Sequence, residues 1–588
     1  MNINLSKVLG MLLILTASAS AAGNNWMTSL NGSLPISQFS IPGTHDTGAR
    51  YESFPGTAKC QDLTIPEQLN AGIRFLDIRC RHIDDAFTIH HGSVYQNLNF
   101  ADVLNSTISF LTANPGETVI MSVKEEYTSS NTTRSFEATF DAYVAQNPGV
   151  WLLGSNIPTL SAARGKIVLF RRFGASSLPK GIDASNFPDD TTFSTGGTLR
   201  VQDHYNVSSN TDKWNQIKAI LNEARYGGPN TLYVNFSSGV NTSFLGIPSI
   251  TTVSNSINPQ LTTFFNDNPS GRFGAILMDF ANADRASMIY NTNAPSGRAV
   301  AHPAYFMIVN RNSGKAIDLI SGNTSNGAQV NQWTYDYNGP NQRWALAPTE
   351  NGDHFRISSW VSGKCACIES DSTSAGALLH AYDYTGNNPG QQFDLVDAGN
   401  GYYKIRNVNS GLVLEVVGAG TANNDRIQQS ADVGSNNQQW RLQPWGDYFV
   451  RASTGKYVCI ENSGNSDGDR IVQYSWENNP WFKWRLEGTT NGYMKASSLN
   501  ALTRVISMAN ASTVNGEDCQ LYSYSTSNLT NQQLRIAPKT NGTFKFYFVH
   551  DGKAWDIPGG QTGNLVPLEQ YTDNANAWQD FQLERLVP

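Results

Sequence analysis

Gly72-Ile-Arg-Phe-Leu-Asp-Ile-Arg79 runs from a turn glycine through an apolar strand and ends on an acid and an arginine. A strand that turns charged at its C-terminal end is the form expected where a sheet carries a catalytic rim. Working outward, the form recurs. Strand candidates lie at 38–41, 73–78, 87–89, 119–123, 166–170, 199–202, 232–236 and 274–278, with helical patterns at 100–112, 135–145, 214–224 and 259–266. Eight β/α alternations across 24–292 predict a TIM-type (β/α)8 barrel. Polar residues follow the strands: Thr44-His45-Asp46, Asp77-Ile-Arg79, His90-His91, Lys124-Glu125-Glu126, Arg171-Arg172, Asp203-His204-Tyr205 and Asp279. In such barrels the C-terminal strand ends hold the active site.

Residues 293–301 read as a linker, and the composition then shifts to Asn, Gln, Gly and Trp. The tail repeats. Its units close on Gln342-Arg-Trp344, Gln391-Gln-Phe393, Gln438-Gln-Trp440, Phe482-Lys-Trp484, Gln532-Gln-Leu534 and Gln579-Asp-Phe581, whose last residues are 49, 47, 44, 50 and 47 apart. Six such units resemble two ricin B-type β-trefoils of three units each, at 302–445 and 446–588. The whole is expected to be α/β followed by all-β.

Length, composition and charge bound the function. The chain has 588 residues, enough for several domains. Its formal charge of −7 offers no basic field, which argues against nucleic acid as a partner. Lys7, the apolar run 8–16 and the small residues 17–22 read as a secretory signal peptide over 1–22, so the protein is expected to be secreted. Six cysteines fit an oxidising compartment; Cys60 and Cys80 are candidates to pair, and the spacings do not resemble a zinc site. Asn105, Asn131, Asn206 and Asn541 head glycosylation sequons.

Two well-separated histidines and an arginine at one barrel rim make an acid–base pair with an anion stabiliser. That set can break a phosphodiester: one histidine takes the proton of the attacking hydroxyl, the other protonates the leaving oxygen, and the arginine neutralises the phosphate. Residues 41–48, 74–79, 90–92, 120–124, 166–173, 201–205 and 276–280, in this order, resemble the bacterial phosphatidylinositol-specific phospholipase C family.

The resemblance implies roles. His45 would be general base on the inositol 2-hydroxyl, supported by Asp279. His91 would be general acid, assisted by Asp46, and is preferred to His90. Arg79 would bind phosphate. Asp77, Lys124, Arg172, Asp203 and Tyr205 would form the substrate-binding set, with Arg172 preferred to Arg171 and with Asp77 a support that either touches substrate or pairs with a nearby rim arginine. The products would be diacylglycerol and inositol 1,2-cyclic phosphate. The expected substrate is phosphatidylinositol at a membrane surface, with glycosyl-phosphatidylinositol (GPI) lipids as a second. No metal or other cofactor is expected, because Arg79 supplies the cation. Trp26 and Tyr51 are candidates for membrane insertion.

The resemblance to ricin-type lectins implies galactose-like glycans as partners. Asp318, Asn331, Trp333 and Asn341 form the best-matched site. The third repeat offers Glu415 with Asn437 and Gln438, and the sixth Asp556 with Tyr571. Glu369, Glu461 and Ser507 are placed at the acid position of the second, fourth and fifth. Two rival readings stand beside the enzyme: a secreted lectin whose barrel is inactive, and a glycosidase using Glu125 and Glu126.

Overall fold

The structure, a computed structural model, describes residues 23–586 except 196, 243–245, 294–303, 387 and 528. The expected signal peptide and nearly all of the expected linker lie outside the described residues.

The barrel staves are β1 (Ile41–Thr44), β2 (Phe75–Ile83), β3 (Val119–Glu125), β4 (Ile167–Arg172), β5 (Ile182–Asp183), β6 (Leu199–Asp203), β7 (Leu232–Phe236) and β8 (Ala275–Met278). They pair in parallel as β5-β4-β3-β2-β1-β8-β7-β6. Among the described residues no ladder joins β5 to β6, whose free edge instead takes Thr191–Thr195 antiparallel. One expected stave is therefore corrected. Ala86–His91 runs antiparallel to β2 and forms a hairpin with Val94–Asn99 at the rim. The missing parallel partners of β4 are Trp151–Leu152 at its start and β5 at its end, each of two residues and too short to leave an apolar pattern in the sequence.

Helices α1 (Ile65–Asn70), α2 (Phe100–Ala113), α3 (Phe136–Gln146), α4 (Leu160–Ala163), α5 (Asn210–Tyr226), α6 (Ile250–Asp267) and α7 (Ala283–Tyr290) complete the domain. Side chains on a strand alternate between faces. Phe75, Ile120, Val168, Phe170, Leu199, Val201, Ala275 and Leu277 fill one apolar cluster inside the staves. Leu76, Ile78, Met121, Leu169, Ile276 and Met278 lie in a second, packed against the helices. The inward series then continue past the apolar layer as Asp77 and Arg79, Lys124, Arg172, Asp203 and Asp279. Apolar residues at the bottom and polar ones at the top of the same face build a packed floor beneath a polar pocket. Gly43 sits on the inward series of β1, where a Cβ would come within 2.9 Å of the Phe75 Cβ.

Two all-β units follow: a 12-stranded sheet from Tyr305 to Trp445 and a 13-stranded sheet from Asp447 to Arg585. Buried Trp344, Trp440 and Trp484 each donate an indole N–H to the carbonyl 27 or 26 positions back, at Ile317, Leu414 and Val458. Apolar residues of both units form one continuous core.

The first trefoil docks on the N-terminal face of the barrel. Tyr305 donates to the Gly227 carbonyl at 3.0 Å, Arg356 to Asn222 at 2.7 Å, and Arg200 to Tyr384 at 2.8 Å. Arg200 also pairs with Glu223 on α5, and Lys364 with Asp383, at 3.0 and 2.7 Å. The barrel mouth thus faces away from the trefoils. All six cysteines are buried free thiols, so the Cys60–Cys80 pairing does not form here.

Candidate active site

A cavity of about 470 Å³ opens at the C-terminal ends of the staves, lined among others by His45, Arg79, His91, Lys124, Arg172, Asp203 and Tyr205. Its size suits a small-molecule ligand.

His45 follows β1, and its Nδ1 lies 2.8 Å from Asp279 Oδ1, just past β8. Its Nε2 lies 2.8 Å from Arg79 Nη2. A guanidinium only donates, so Nε2 is the acceptor and the ring proton sits on Nδ1, donated to Asp279. Burial acts to lower the His45 pKa; the Asp279 charge and hydrogen bond, helped by Asp77, outweigh burial and Arg79, and the net shift is upward. The imidazole is thus a neutral, strengthened base whose lone pair is held by Arg79.

His91 mirrors it. Its Nδ1 lies 2.8 Å from Asp46 Oδ2, which also stands 3.7 Å from Arg79 Nε. Asp46 is fully buried and has φ 38°, a left-handed conformation for a non-glycine residue. This tight turn lets successive residues serve opposite histidines: His45 faces Asp279 while Asp46 reaches His91. His90 is turned away, its ring tilted against Tyr95 at 5.4 Å.

Asp77, placed in the substrate-binding set, takes the salt-bridge alternative and is corrected as a direct substrate contact. It is fully buried below the pocket, accepts from the Asp46 N–H and Ser122 Oγ, and pairs with Arg79 at 3.3 Å and Arg172 at 3.6 Å. Burial would raise its pKa, but Arg79, Arg172 and His45 hold it well below the usual carboxylate range. Asp77 is a fixed counter-charge that aims the two arginines. Arg79 itself stays cationic: burial opposes the charge, and Asp77, Asp46 and Glu126 more than restore it.

Lys124 reaches Glu126 at 3.1 Å, and its pKa is lowered first by Arg79 and then by burial. The Arg172 guanidinium carbon lies over the Phe187 ring, 3.6 Å from its centroid. Arg171 points outward to Asp183 and to the Phe173 and Lys180 carbonyls. Tyr205 donates to Asp189 at 3.1 Å. His204 does not line the cavity. Phe187 and Asp189 were not singled out as site residues, and Glu126 only as a carboxylate of the glycosidase reading. Phe187 and Asp189 stand on the irregular stretch between β5 and β6, where no period marks them. Glu126, by accepting from Lys124 and the Gly92 N–H, ties the His91 turn to β3.

Cys60 lies between the histidines, 3.7 Å from His91 Nδ1. With His45 and Asp279, or with Asp46 and His91, it forms a cluster whose ligand atoms lie within 4.8 Å of one another. These are the described residues best able to take a soft cation, although burial and Asp279 push the thiol pKa well up.

Strand register decides the trefoil sites. Asp318 faces Asn331. The positions equivalent to Asp318 are Cys367, Glu415, Cys459, Ser507 and Asp556. Glu369 and Glu461 are therefore two residues off, and cysteines hold the acid position of the second and fourth repeats. Those equivalent to Trp333 are Tyr382, Ser430, Tyr474, Tyr522 and Tyr571. Only the first and sixth repeats join an acid to an aromatic ring. Glu415 is occupied by Gln428, Asn437 and Gln438. In the first repeat Trp333 is 40% exposed, Asn341 is half-buried, and burial pushes Asp318 up to about 6 against the Gln342 hydrogen bond. Asn331 is corrected: it is fully buried and donates to Asn424, so it positions the sheet and does not present itself to ligand.

Comparison with known proteins agrees with both halves. Residues 32–173 match the profile of the phosphatidylinositol-specific phospholipase C X domain. Residues 298–382, 340–430, 389–452 and 436–522 match the ricin-type β-trefoil lectin domain-like profile. A 1-phosphatidylinositol phosphodiesterase of Staphylococcus aureus (strain Newman) is 34% identical over 283 residues, 45% of this chain and 90% of the relative. One of Listeria monocytogenes is 28% identical over 286 residues, 47% of this chain and 86% of the relative. A solved structure of the S. aureus phospholipase C aligns at 32% identity over 47% of this chain and 99% of that one, with a TM-score of 0.43. The barrel carries an acid–base site around a fixed cation, and trefoil repeats follow it. The chain belongs to the bacterial phosphatidylinositol-specific phospholipase C family.

Proposed function

We propose that this chain is a secreted phospholipase C that cleaves phosphatidylinositol to diacylglycerol and inositol 1,2-cyclic phosphate. The observation that carries the reading is the pair of carboxylate-backed histidines, His45–Asp279 and His91–Asp46, on either side of Arg79. The bound phosphate takes Arg79 from His45, which frees Nε2 to accept the inositol 2-hydroxyl proton. The 2-oxygen attacks phosphorus. His91, protonated on Nε2 while Asp46 holds its Nδ1–H, gives that proton to the departing diacylglycerol oxygen. Arg79 neutralises the charge that grows on the phosphate oxygens; its planar fork suits two of them. Lys124, Arg172 and Asp203 face the inositol hydroxyls, and Tyr205 closes the ring's side. Arg79 fills the place a divalent cation would take, so turnover persists in excess chelator.

The partner is a bilayer. Among the described barrel residues, the exposed large apolar side chains are Tyr51, Phe54, Tyr95, Tyr127, Leu178 and Ile247. Tyr95 stands on the rim hairpin, and the others ride on loops beyond the C-terminal ends of staves. Trp26 is not among them: it is buried and stacks on Tyr290. The trefoils, on the opposite face, bind galactose-like glycans through Asp318, Trp333 and Asn341 and hold the enzyme near glycan-bearing surfaces. GPI lipids share the inositol phosphate and are a second substrate. The glycosidase reading is disfavoured because Glu126 is tied to Lys124 and Gly92. His45→Ala tests the enzyme against the inactive-barrel reading: activity falls by ~10²–10⁴ if His45 is the base, and unchanged turnover refutes it.

A further inference from the structure

The fourth repeat has kept the shape of a trefoil ligand site and replaced its chemistry. Register and the closing triplet align Cys459, Val472 and Phe482 with Asp318, Asn331 and Gln342 of the first repeat, and Trp481 with Asn341. Four hydrogen-bonding side chains have become two aromatics, a valine and a buried thiol. The place is not filled in. A cavity of about 220 Å³ remains, walled by Tyr474, Trp481, Phe482, Val472 and Leu565, with Glu461 and Glu477 as its charged lining residues. Glu461 has Arg470 at 3.6 Å, which Asp518 holds more closely at 3.1 Å, and Glu477 accepts from Asn479.

A sugar fits this less well than the first repeat, because carbon and sulfur stand where the acid, the two asparagines and the glutamine were, and only Glu461, Asn462, Ser463, Glu477 and the Tyr474 hydroxyl are left as polar lining. A purely apolar ligand fits no better, because it would desolvate two carboxylates. Aromatic walls with acids at the mouth match an apolar cation, which gains from the ring faces and the carboxylates together. We propose that the fourth repeat is a binding site for an alkylammonium group, such as the trimethylammonium of choline, separate from both the catalytic pocket and the glycan site. The carboxylates also reach the pocket floor: burial, then Glu477 and Glu461, push the Cys459 thiol up to about 12. The site is independent of the phospholipase reading.

The test is a titration of the full chain with tetramethylammonium and choline chlorides against sodium chloride at equal ionic strength, read by saturation-transfer NMR and indole fluorescence. The expected result is saturable binding that weakens about tenfold in Trp481→Ala, weakens in Glu477→Gln, and is unchanged in Asp318→Ala. Glu477 is exposed, so its variant tests the site even if Trp481→Ala fails to fold. Capture by phosphatidylcholine but not phosphatidylglycerol vesicles would place the group on a lipid; binding of free choline alone would place it on a soluble ligand. Either supports the site. Displacement by galactose, equal binding to Glu477→Gln and wild type, or no saturable signal overturns it.

Discussion

At the scale of single residues, the site works by holding charges in pairs and releasing one of them. Arg79 is shared among His45, Asp77 and Asp46, so the free enzyme keeps its base nitrogen covered. Asp279 sets how strong that base is. Burial and Arg79 pull the His45 pKa down and Asp279 pulls it up. Replacing Asp279 with Asn therefore moves the acid limb of the kcat/KM profile to lower pH, since deprotonation of His45 no longer has to overcome that carboxylate. It also lowers kcat by ~10²–10⁴, because the tautomer is no longer enforced. A pH–rate profile of the variant checks both. An acid limb that stays put would mean another group limits the rate. The glycan site has its own titration. Asp318 is raised to about 6, so its carboxylate is lost as pH falls through that value. Galactose-type binding is expected to weaken from pH 7 to pH 5, measured by calorimetry, and Asp318→Asn is expected to remove the pH dependence along with most of the affinity.

At the scale of elements, the two-residue period of the staves explains what the sequence could and could not show. Asp77 and Arg79, Lys124, Arg172 and Asp203 were legible because each continues an inward apolar series, and the same parity separates Arg172 from Arg171. The hairpin at Ala86–His91 was read as a stave because its alternation resembles one; pairing direction leaves no mark in a single strand. In the second and fourth trefoil repeats Glu369 and Glu461 stood in for the acid position because the residue in register there, Cys367 or Cys459, carries no carboxylate. The indole of the closing Trp fixes it: the carbonyl it bonds precedes the acid position, which becomes Cys459 in the fourth repeat. For Asp77, direct contact and a salt bridge to a rim arginine stayed equally open, because sequence shows which side of a strand a residue takes, not how deep. Deeper still, Arg74 at the start of β2 pairs with Glu117, both fully buried, and Glu117 also accepts from Thr28. Glu117→Ala strands a buried guanidinium and is expected to cost about 3–5 kcal/mol of stability, measured by denaturant unfolding. A loss under about 1 kcal/mol would show that Arg74 finds other partners.

At the scale of the whole molecule, the barrel mouth and the trefoils lie on opposite faces, so lipid and glycan engagement should separate by mutation. Phe54→Ser with Leu178→Ser is expected to weaken binding to phosphatidylinositol vesicles without altering glycan binding, and Asp318→Ala to do the reverse, both read by co-sedimentation. A shared loss would mean that the two faces act together. The reaction at the mouth is the core of the account. Phosphorus NMR of the protein incubated with phosphatidylinositol in excess chelator tests it most directly. The account predicts a five-membered cyclic inositol phosphate as the first product, formed at the same rate with and without chelator. Open-chain inositol phosphate with no cyclic precursor, or activity abolished by the chelator, would contradict internal attack around Arg79.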